Sequence, residues 1–107
     1  MKEVSARELA AWLADDLRER PILLDVREPW EMRICGIEGS EKVPMQALPS
    51  RLHSLDARRP IVCICHHGRR SAHVAMYLAH QGCDDVYNLT GGVDAWARQV
   101  DAAMPTY

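Results

Sequence analysis

Three short apolar runs divide the chain, and none of them alternates with polar residues. They are Ile22 to Leu24, "PIVCIC" at 60–65 and "DVYNL" at 85–89. An unbroken apolar run suits a strand that is covered on both faces, as strands in parallel sheets are. We therefore expect three parallel strands at these places.

Helical patterns lie before and between these runs. Ser5 and Glu8 have the spacing of a capping box, which predicts a first helix that runs to about Leu17. The stretch "RRSAHVAMYLAHQG" predicts a helix from about Arg70 to Gln81, and the following glycine is well placed to end it. A two-glycine turn in "TGGVDAWARQV" leads into a last helix.

The segment 32–60 is rich in loop residues, with a short strand expected near Val43 and a short helix around Leu48 to Leu55. Strands that alternate with helices predict the α/β class, here one domain with a central, mostly parallel sheet and helices on both faces. A chain of 107 residues suits one such domain. We expect it to span 1–107, with a core of about 4–100 and a tail at 101–107.

The charge and hydrophobicity of the chain limit the kinds of partner that we expect it to bind. The net charge of -2 provides no general attraction to nucleic acid, and no apolar run approaches the ~20 residues of a membrane helix. The first residues carry acidic side chains where a secretory signal would have its apolar core. We expect a cytoplasmic protein with no nucleic-acid or membrane partner. In that compartment its 4 cysteines should be free thiols.

The stretch "CHHGRRS", at 65–71, is the strongest candidate for chemistry. Cys65 stands where a buried strand turns into a helix, so backbone N–H groups can point at its sulfur and stabilise a thiolate. Gly68 lets the loop curl, and Arg69 and Arg70 add positive charge for an anionic substrate. A cysteine at a strand end is more often simple packing, but its neighbours favour a nucleophile.

This loop resembles the active-site loop of the rhodanese family. "LLDVREPWE" and "VYNLTGGVDAW" are similar to two further motifs of that family, in the same order along the chain. The resemblance implies a sulfurtransferase without a cofactor, in which Cys65 takes the outer sulfur of thiosulfate or a persulfide. The sulfur is held as a cysteine persulfide and passed to a thiol, a protein acceptor or cyanide.

The resemblance and the local sequence together suggest roles for the residues around Cys65. Binding of the sulfur donor is assigned to the rest of the loop, namely His66, His67, Gly68, Arg69 and Arg70. Support of the loop is assigned to Asp25, Arg27 and Ser71. Pairing with a carboxylate is an equal alternative for Arg70. Either histidine could instead be a solvated surface residue.

The chain departs from the family pattern at one place. "CGIEGS" puts Cys35 and Gly36 where relatives commonly have Gly-His. We interpret Cys35 as a tolerated substitution, and a second redox thiol is the alternative.

Two other interpretations of the chain stay open. A cysteine-dependent phosphatase or arsenate reductase needs five residues between cysteine and arginine, a spacing that Cys63 and Arg69 have. Cys63 lies inside a predicted strand, however, so this reading is the weaker one. We expect no metal site, since the histidines and cysteines lack zinc-finger spacing. A partner-binding or redox-sensing module with the same fold is the remaining alternative, and the sequence leaves the oligomeric state open.

Overall fold

All five strands of the protein lie parallel in one sheet. The computed structural model describes residues 1–107. The strands are β1 (Lys2–Val4), β2 (Ile22–Asp25), β3 (Glu41–Lys42), β4 (Ile61–Ile64) and β5 (Val86–Leu89), in the order β1-β5-β4-β2-β3. The helices are α1 (Ala6–Ala14), α2 (Pro29–Ile34), α3 (Leu48–Arg51), α4 (Arg69–His80) and α5 (Gly92–Gln99).

The three apolar runs form the centre of this sheet. Every residue of β2 and β4 is buried, because helices cover both faces of the sheet. On one face Leu9 of α1 and Trp96 of α5 pack in a core cluster with residues of the sheet. On the other face Leu48 of α3 and Leu78 of α4 do the same. The predicted α/β class with a parallel sheet is confirmed.

The first helix begins as expected and ends early. Ser5 accepts a hydrogen bond from the amide of Glu8, and the Glu8 carboxylate accepts one from the amide of Ser5, which completes the capping box. The helix ends at Ala14 instead of about Leu17. Asp15 takes an extended conformation, and its carboxylate accepts from the amide of Leu17 at 3.0 Å. Such a local hydrogen bond competes with the helix.

Two elements were not predicted. β1 is a short edge strand that pairs only with β5, and three residues are too few for a periodic pattern. α2 lies partly in the segment expected to be loop. Its signals were present in the sequence, since Pro29 occupies the first turn and Glu28 and Glu31 form a capping box. The short strand near Val43 is β3, and the short helix expected at 48–55 is α3 between two 3₁₀ turns.

The parallel sheet brings the ends of its central strands to one edge. Asp25 ends β2, Cys65 follows β4, and Thr90 follows β5. Residues 101–107 run back towards this edge, with Met104 buried in the core and Tyr107 beside the Cys65 loop. None of the helices has the length and hydrophobicity needed to cross a bilayer.

Candidate active site

Cys65 lies at the base of a tight turn between β4 and α4. Its side chain is buried, and the residue is 1% exposed. The backbone N–H of Gly68 donates a hydrogen bond to its Sγ at 3.1 Å. The hydroxyl oxygen of Ser71, in the first turn of α4, lies 3.2 Å from the same sulfur. Two polar groups of the chain therefore converge on one thiol.

Two features hold the turn in this shape. Gly68 has φ +94°, and a Cβ there would lie 3.1 Å from the carbonyl oxygen of Leu89, so both conformation and space favour glycine. The first amides of α5 bind the loop from the other side. Val93 N–H donates to the Cys65 carbonyl at 2.9 Å, and Asp94 N–H donates to the His66 carbonyl at 3.1 Å. The amino-terminal turn of α5 thus satisfies the carbonyls of the loop.

Arg70 turns towards α2, where it pairs with a carboxylate. Its Nη1 and Nη2 atoms donate to the two carboxylate oxygens of Glu31 at 2.6 and 2.8 Å. This bidentate bond lowers the pKa of Glu31 to about 2 and raises the pKa of Arg70 above its usual value. The geometry favours the carboxylate-pairing alternative for Arg70 and leaves Arg69 as the exposed arginine of the loop.

A second ion pair lies beneath α2. Arg27 is fully buried, and its Nη2 donates to Asp25 Oδ2 at 2.7 Å, while its Nε lies 3.0 Å from Oδ1. The same guanidinium donates to the carbonyl of Cys35 at 2.7 Å. Burial alone would lower the pKa of Arg27, but the hydrogen bonds to Asp25 raise it, so the group stays charged. The pair ties the end of β2 to the segment that follows α2.

Tyr107 connects the two ion pairs. Its hydroxyl accepts from Arg27 Nη1 at 2.9 Å and donates to Glu31 Oε2 at 2.7 Å. Its ring stacks on His66 with centroids 3.8 Å apart and planes 9° from parallel. Desolvation, followed by the bond to Glu31, raises the pKa of Tyr107 to about 12, so the hydroxyl keeps its proton for that bond. The last residue of the sequence is therefore part of this edge of the sheet.

The lowered pKa of Glu31 predicts how the stability of the protein changes at acid pH. A pKa lowered from 4.5 to about 2 gives stability that is present above pH 4.5 and is lost as the pH falls towards 2. Glu31→Gln should lower the free energy of unfolding at pH 7 by on the order of 2 kcal/mol, since Glu31 is buried but Arg70 is partly exposed. Urea unfolding between about pH 7 and pH 2 measures this difference, which should shrink across that window.

The ion pair of Asp94 and the exposed Arg98, four residues apart on one face of α5, provides the control. Asp94→Asn should lower stability by no more than about 0.5 kcal/mol at pH 7. If the difference in free energy of unfolding between wild type and Glu31→Gln stayed constant from pH 7 to pH 2, the assignment of the low pKa to Glu31 would be contradicted.

The two histidines of the loop lie in different surroundings. His66 is partly buried between Tyr107 and His67, and its Nε2 atom is buried without a hydrogen-bond partner. Desolvation, followed by the neighbouring His67, lowers the pKa of His66, so it stays neutral near pH 7. His67 is exposed. These two side chains and Asp94 form the one cluster that could hold a metal ion, with ligand atoms within 4.8 Å of one another.

The other three cysteines differ from Cys65 in their environment. Burial in the middle of β4 raises the pKa of Cys63 to about 12, which makes it a poor nucleophile. Burial also raises the pKa of Cys83, which lies beyond α4. Cys35 is half-buried, and its Sγ lies 3.7 Å from Arg27 Nη1. No disulfide joins any of the four.

The protein has three cavities, one of which is lined by His66 of the Cys65 loop. The most apolar of them, about 220 Å³ in volume, is formed by α3 and α4 and is lined by Met45, Leu48 and Tyr77 among others. None of the three cavities is lined by Cys65. The Cys65 loop therefore encloses its sulfur closely.

The structure thus gathers all the residues predicted around Cys65, and it adds three that the sequence did not indicate. Asp25 and Arg27 lie behind α2, and Ser71 contacts the thiol. The additional residues are Glu31, Asn88 and Tyr107. A polar residue inside the apolar run "DVYNL" was an available signal for Asn88, but nothing local marked Glu31 or Tyr107 as neighbours of the loop.

Comparison with known proteins supports one family. The family model described as "Rhodanese-like domain" matches residues 5–99. A sulfurtransferase from Allochromatium vinosum is 36% identical over 98 residues, which cover 92% of this chain and 90% of that protein. The thiosulfate sulfurtransferase GlpE of Pseudomonas fluorescens is 34% identical, covering 78% of this chain and 77% of that one.

A longer relative and a solved structure agree with this. The chloroplastic rhodanese-like/PpiC domain-containing protein 12 of Arabidopsis thaliana is 33% identical over 112 residues, and the chain spans 38% of its length. The crystal structure of a rhodanese-like domain protein from Staphylococcus aureus superposes with a TM-score of 0.85 at 29% identity, covering 100% of this chain and 99% of that chain. These relatives support a sulfurtransferase activity in general. The chain belongs to the rhodanese-like domain family.

Proposed function

We propose that this protein moves sulfane sulfur from thiosulfate or a persulfide donor to a thiol, a protein acceptor or cyanide, through a persulfide on Cys65. The observation that carries the proposal is the amide of Gly68 donating at 3.1 Å to a Cys65 Sγ that is buried in a tight turn. A turn of this size suits one added sulfur atom better than a phosphate. The Pseudomonas fluorescens relative is a thiosulfate sulfurtransferase, which supports thiosulfate as the donor.

In the first step the Cys65 thiolate attacks the outer sulfur of thiosulfate. A new S–S bond forms, the S–S bond of thiosulfate breaks, and sulfite leaves with the electron pair. The product is a cysteine persulfide whose terminal sulfur carries the negative charge. The inward-facing amide of Gly68 stabilises that charge at a buried position.

In the second step an acceptor thiolate or cyanide attacks the terminal sulfur. The Cys65 thiolate leaves, and the acceptor departs as a persulfide or as thiocyanate. Dividing the transfer in this way replaces one difficult exchange with two displacements at the same sulfur. The chain needs no cofactor for either step.

The exposed residues of the loop are the ones that meet the donor. Arg69 and His67 face solvent, and Arg69 has no carboxylate partner, so it is free to attract the anionic end of thiosulfate. Arg70 acts indirectly, by tying the start of α4 to Glu31 on α2. Asp25, Arg27 and Ser71 support the loop, as the contacts above suggest. A reducing, cytoplasmic compartment suits a thiol that must stay free between turnovers.

One observation favours the alternative of a partner-binding or redox-sensing module. Cys65 is 1% exposed, so a donor can reach its sulfur only with its terminal atom or after a shift of the loop. The phosphatase alternative is weaker, because its nucleophile would be Cys63, which is buried in β4 with a pKa of about 12.

The test is to incubate the reduced protein with thiosulfate and to measure its mass and peptide masses. We expect one added sulfur atom on the peptide that contains Cys65, and cyanide should remove it with release of thiocyanate. A protein that stays unmodified with thiosulfate and with a small organic persulfide would support the binding module. Sulfur on another cysteine would refute the assigned role of Cys65.

A further inference from the structure

Behind Cys65, one hydroxyl lies between two groups that could each accept a hydrogen bond from it. The Oγ atom of Ser71 is 3.2 Å from Cys65 Sγ and 2.6 Å from Oδ1 of Asn88 on β5. Both Ser71 and Asn88 are buried. A serine hydroxyl has one proton to donate, so it cannot bond to the sulfur and to the amide oxygen together.

The surroundings of Asn88 decide which bond forms. Its Nδ2 atom lies 3.0 Å from the carbonyl oxygen of Gly68 and 3.1 Å from a carboxylate oxygen of Glu3. These two oxygens only accept hydrogen bonds, so the nitrogen of the amide must face them. The oxygen of Asn88 then faces Ser71, and Ser71 must donate to it. The Ser71 Oγ atom therefore presents a lone pair, and not its proton, to the sulfur of Cys65.

We propose that Asn88 is a positioning residue that controls the protonation of Cys65 through the hydroxyl of Ser71. In the resting protein the thiol S–H donates to Ser71 Oγ, and Ser71 donates to Asn88. When the thiol releases its proton to solvent, the Ser71 hydroxyl turns from Asn88 to the anionic sulfur. The buried Oδ1 of Asn88 then has no donor, which opposes deprotonation.

The amide of Gly68 faces the sulfur in both states and does not take part in this exchange. The charged and titratable groups that face Cys65 are Arg70 of α4 and Cys63 of β4, and Glu3 of β1 lies beyond Asn88. Glu3 keeps its hydrogen bond from Thr90 Oγ1, at 2.9 Å, when Asn88 is replaced. Replacement of Asn88 leaves these charges in place, but it also removes the bond to the Gly68 carbonyl, so its effect is compared with that of the same replacement in a chain without Ser71.

For sulfur transfer the inference rests on the proposed function. In a Cys65 persulfide the charge lies on the terminal sulfur, so the inner sulfur needs no donor from Ser71 and the bond to Asn88 can form again. Asn88 therefore favours the sulfur-loaded form over the free thiolate. Its replacement should shift the balance of the first step towards free enzyme.

Alkylation of Cys65 by iodoacetamide, read from its peptide mass, tests the proton exchange without any sulfur donor. The rate is followed from about pH 5 to pH 10, across the range where thiols lose their proton. In Asn88→Ala the Ser71 hydroxyl is free to bond the sulfur, so the midpoint of the profile should fall by about one pH unit, a tenfold gain in thiolate below the midpoint. In Ser71→Ala the midpoint should hardly move, because the donor to the thiolate and the competing bond are lost together.

The double variant Ser71→Ala/Asn88→Ala completes the test, and its midpoint should match that of Ser71→Ala. A fall that persists without Ser71 would overturn the proposal. So would a midpoint raised by a unit or more in Ser71→Ala, which marks Ser71 as a plain donor to the sulfur. Ser71→Ala alone decides the question if Asn88→Ala does not fold. Because no sulfur transfer is measured, failure here is distinct from failure of the proposed function.

Discussion

Replacement of Cys65 by serine should reduce sulfur transfer from thiosulfate to cyanide by at least about 10³-fold, the scale seen when a covalent nucleophile is removed. A serine hydroxyl keeps its proton near pH 7 and forms no persulfide. The substitution nearly preserves volume, and the Gly68 amide can still donate to the new oxygen. The fold should therefore survive, and steady-state rates with matched circular dichroism spectra measure the loss.

Cys83→Ser provides the matched control. Cys83 is buried like Cys65, but it lies beyond the far end of α4 and has no hydrogen bond to the residues of the loop. It should keep most of the wild-type rate. A Cys65→Ser protein that retained more than about a tenth of that rate would point to another nucleophile, and the proposed mechanism would be wrong.

Replacement of Gly92 by alanine should have the largest effect on the structure of the site. Gly92 begins α5 with φ +59°, and a Cβ on it would lie 2.3 Å from the carbonyl oxygen of Cys65 and 2.4 Å from that of His66. Both atoms belong to backbone, so the loop itself would have to move. Close packing of this kind makes the added methyl destabilising by about 3 kcal/mol or more. Urea unfolding and the alkylation rate of Cys65 measure the two consequences.

Gly82→Ala is the control for backbone conformation alone. Gly82 has φ +98°, and nothing lies within 4 Å of the position of its Cβ. The variant should therefore lose only the roughly 1–2 kcal/mol of a left-handed conformation and should leave the reactivity of Cys65 unchanged. Similar losses of stability at the two glycines would contradict the close packing of Gly92 against the backbone of the Cys65 loop.

The sequence predicted the fold well where the signal was local. The capping box of Ser5 and Glu8 and the apolar run of β4 each lie within a few residues, and both appear in the structure as expected. α2 had local signals too, in Pro29 and the pair of Glu28 and Glu31, and it was missed because its apolar pattern is short. β1 had no such signal, because three residues at a sheet edge form a strand only through their partner β5.

The interpretation of Arg70 illustrates the limit for the site. Its position in the loop suggested both anion binding and pairing with a carboxylate, and the sequence did not separate them. The partner, Glu31, lies 39 residues away along the chain and on another helix. Only the crossover of the sheet brings α2 beside the start of α4. Arg69, next to it in sequence, stays exposed.

By itself the sequence determined the α/β class, the three central strands and the turn that presents Cys65, because apolar runs, caps and glycines act over short stretches of chain. Only the tertiary structure decided which groups meet at that turn. Asn88 reaches Ser71 across 17 residues, and Tyr107 reaches Glu31 across 76. A hydrogen bond requires a donor–acceptor distance that is correct to within a few tenths of an ångström. For segments far apart in sequence, the packing of the helices on the sheet sets that distance.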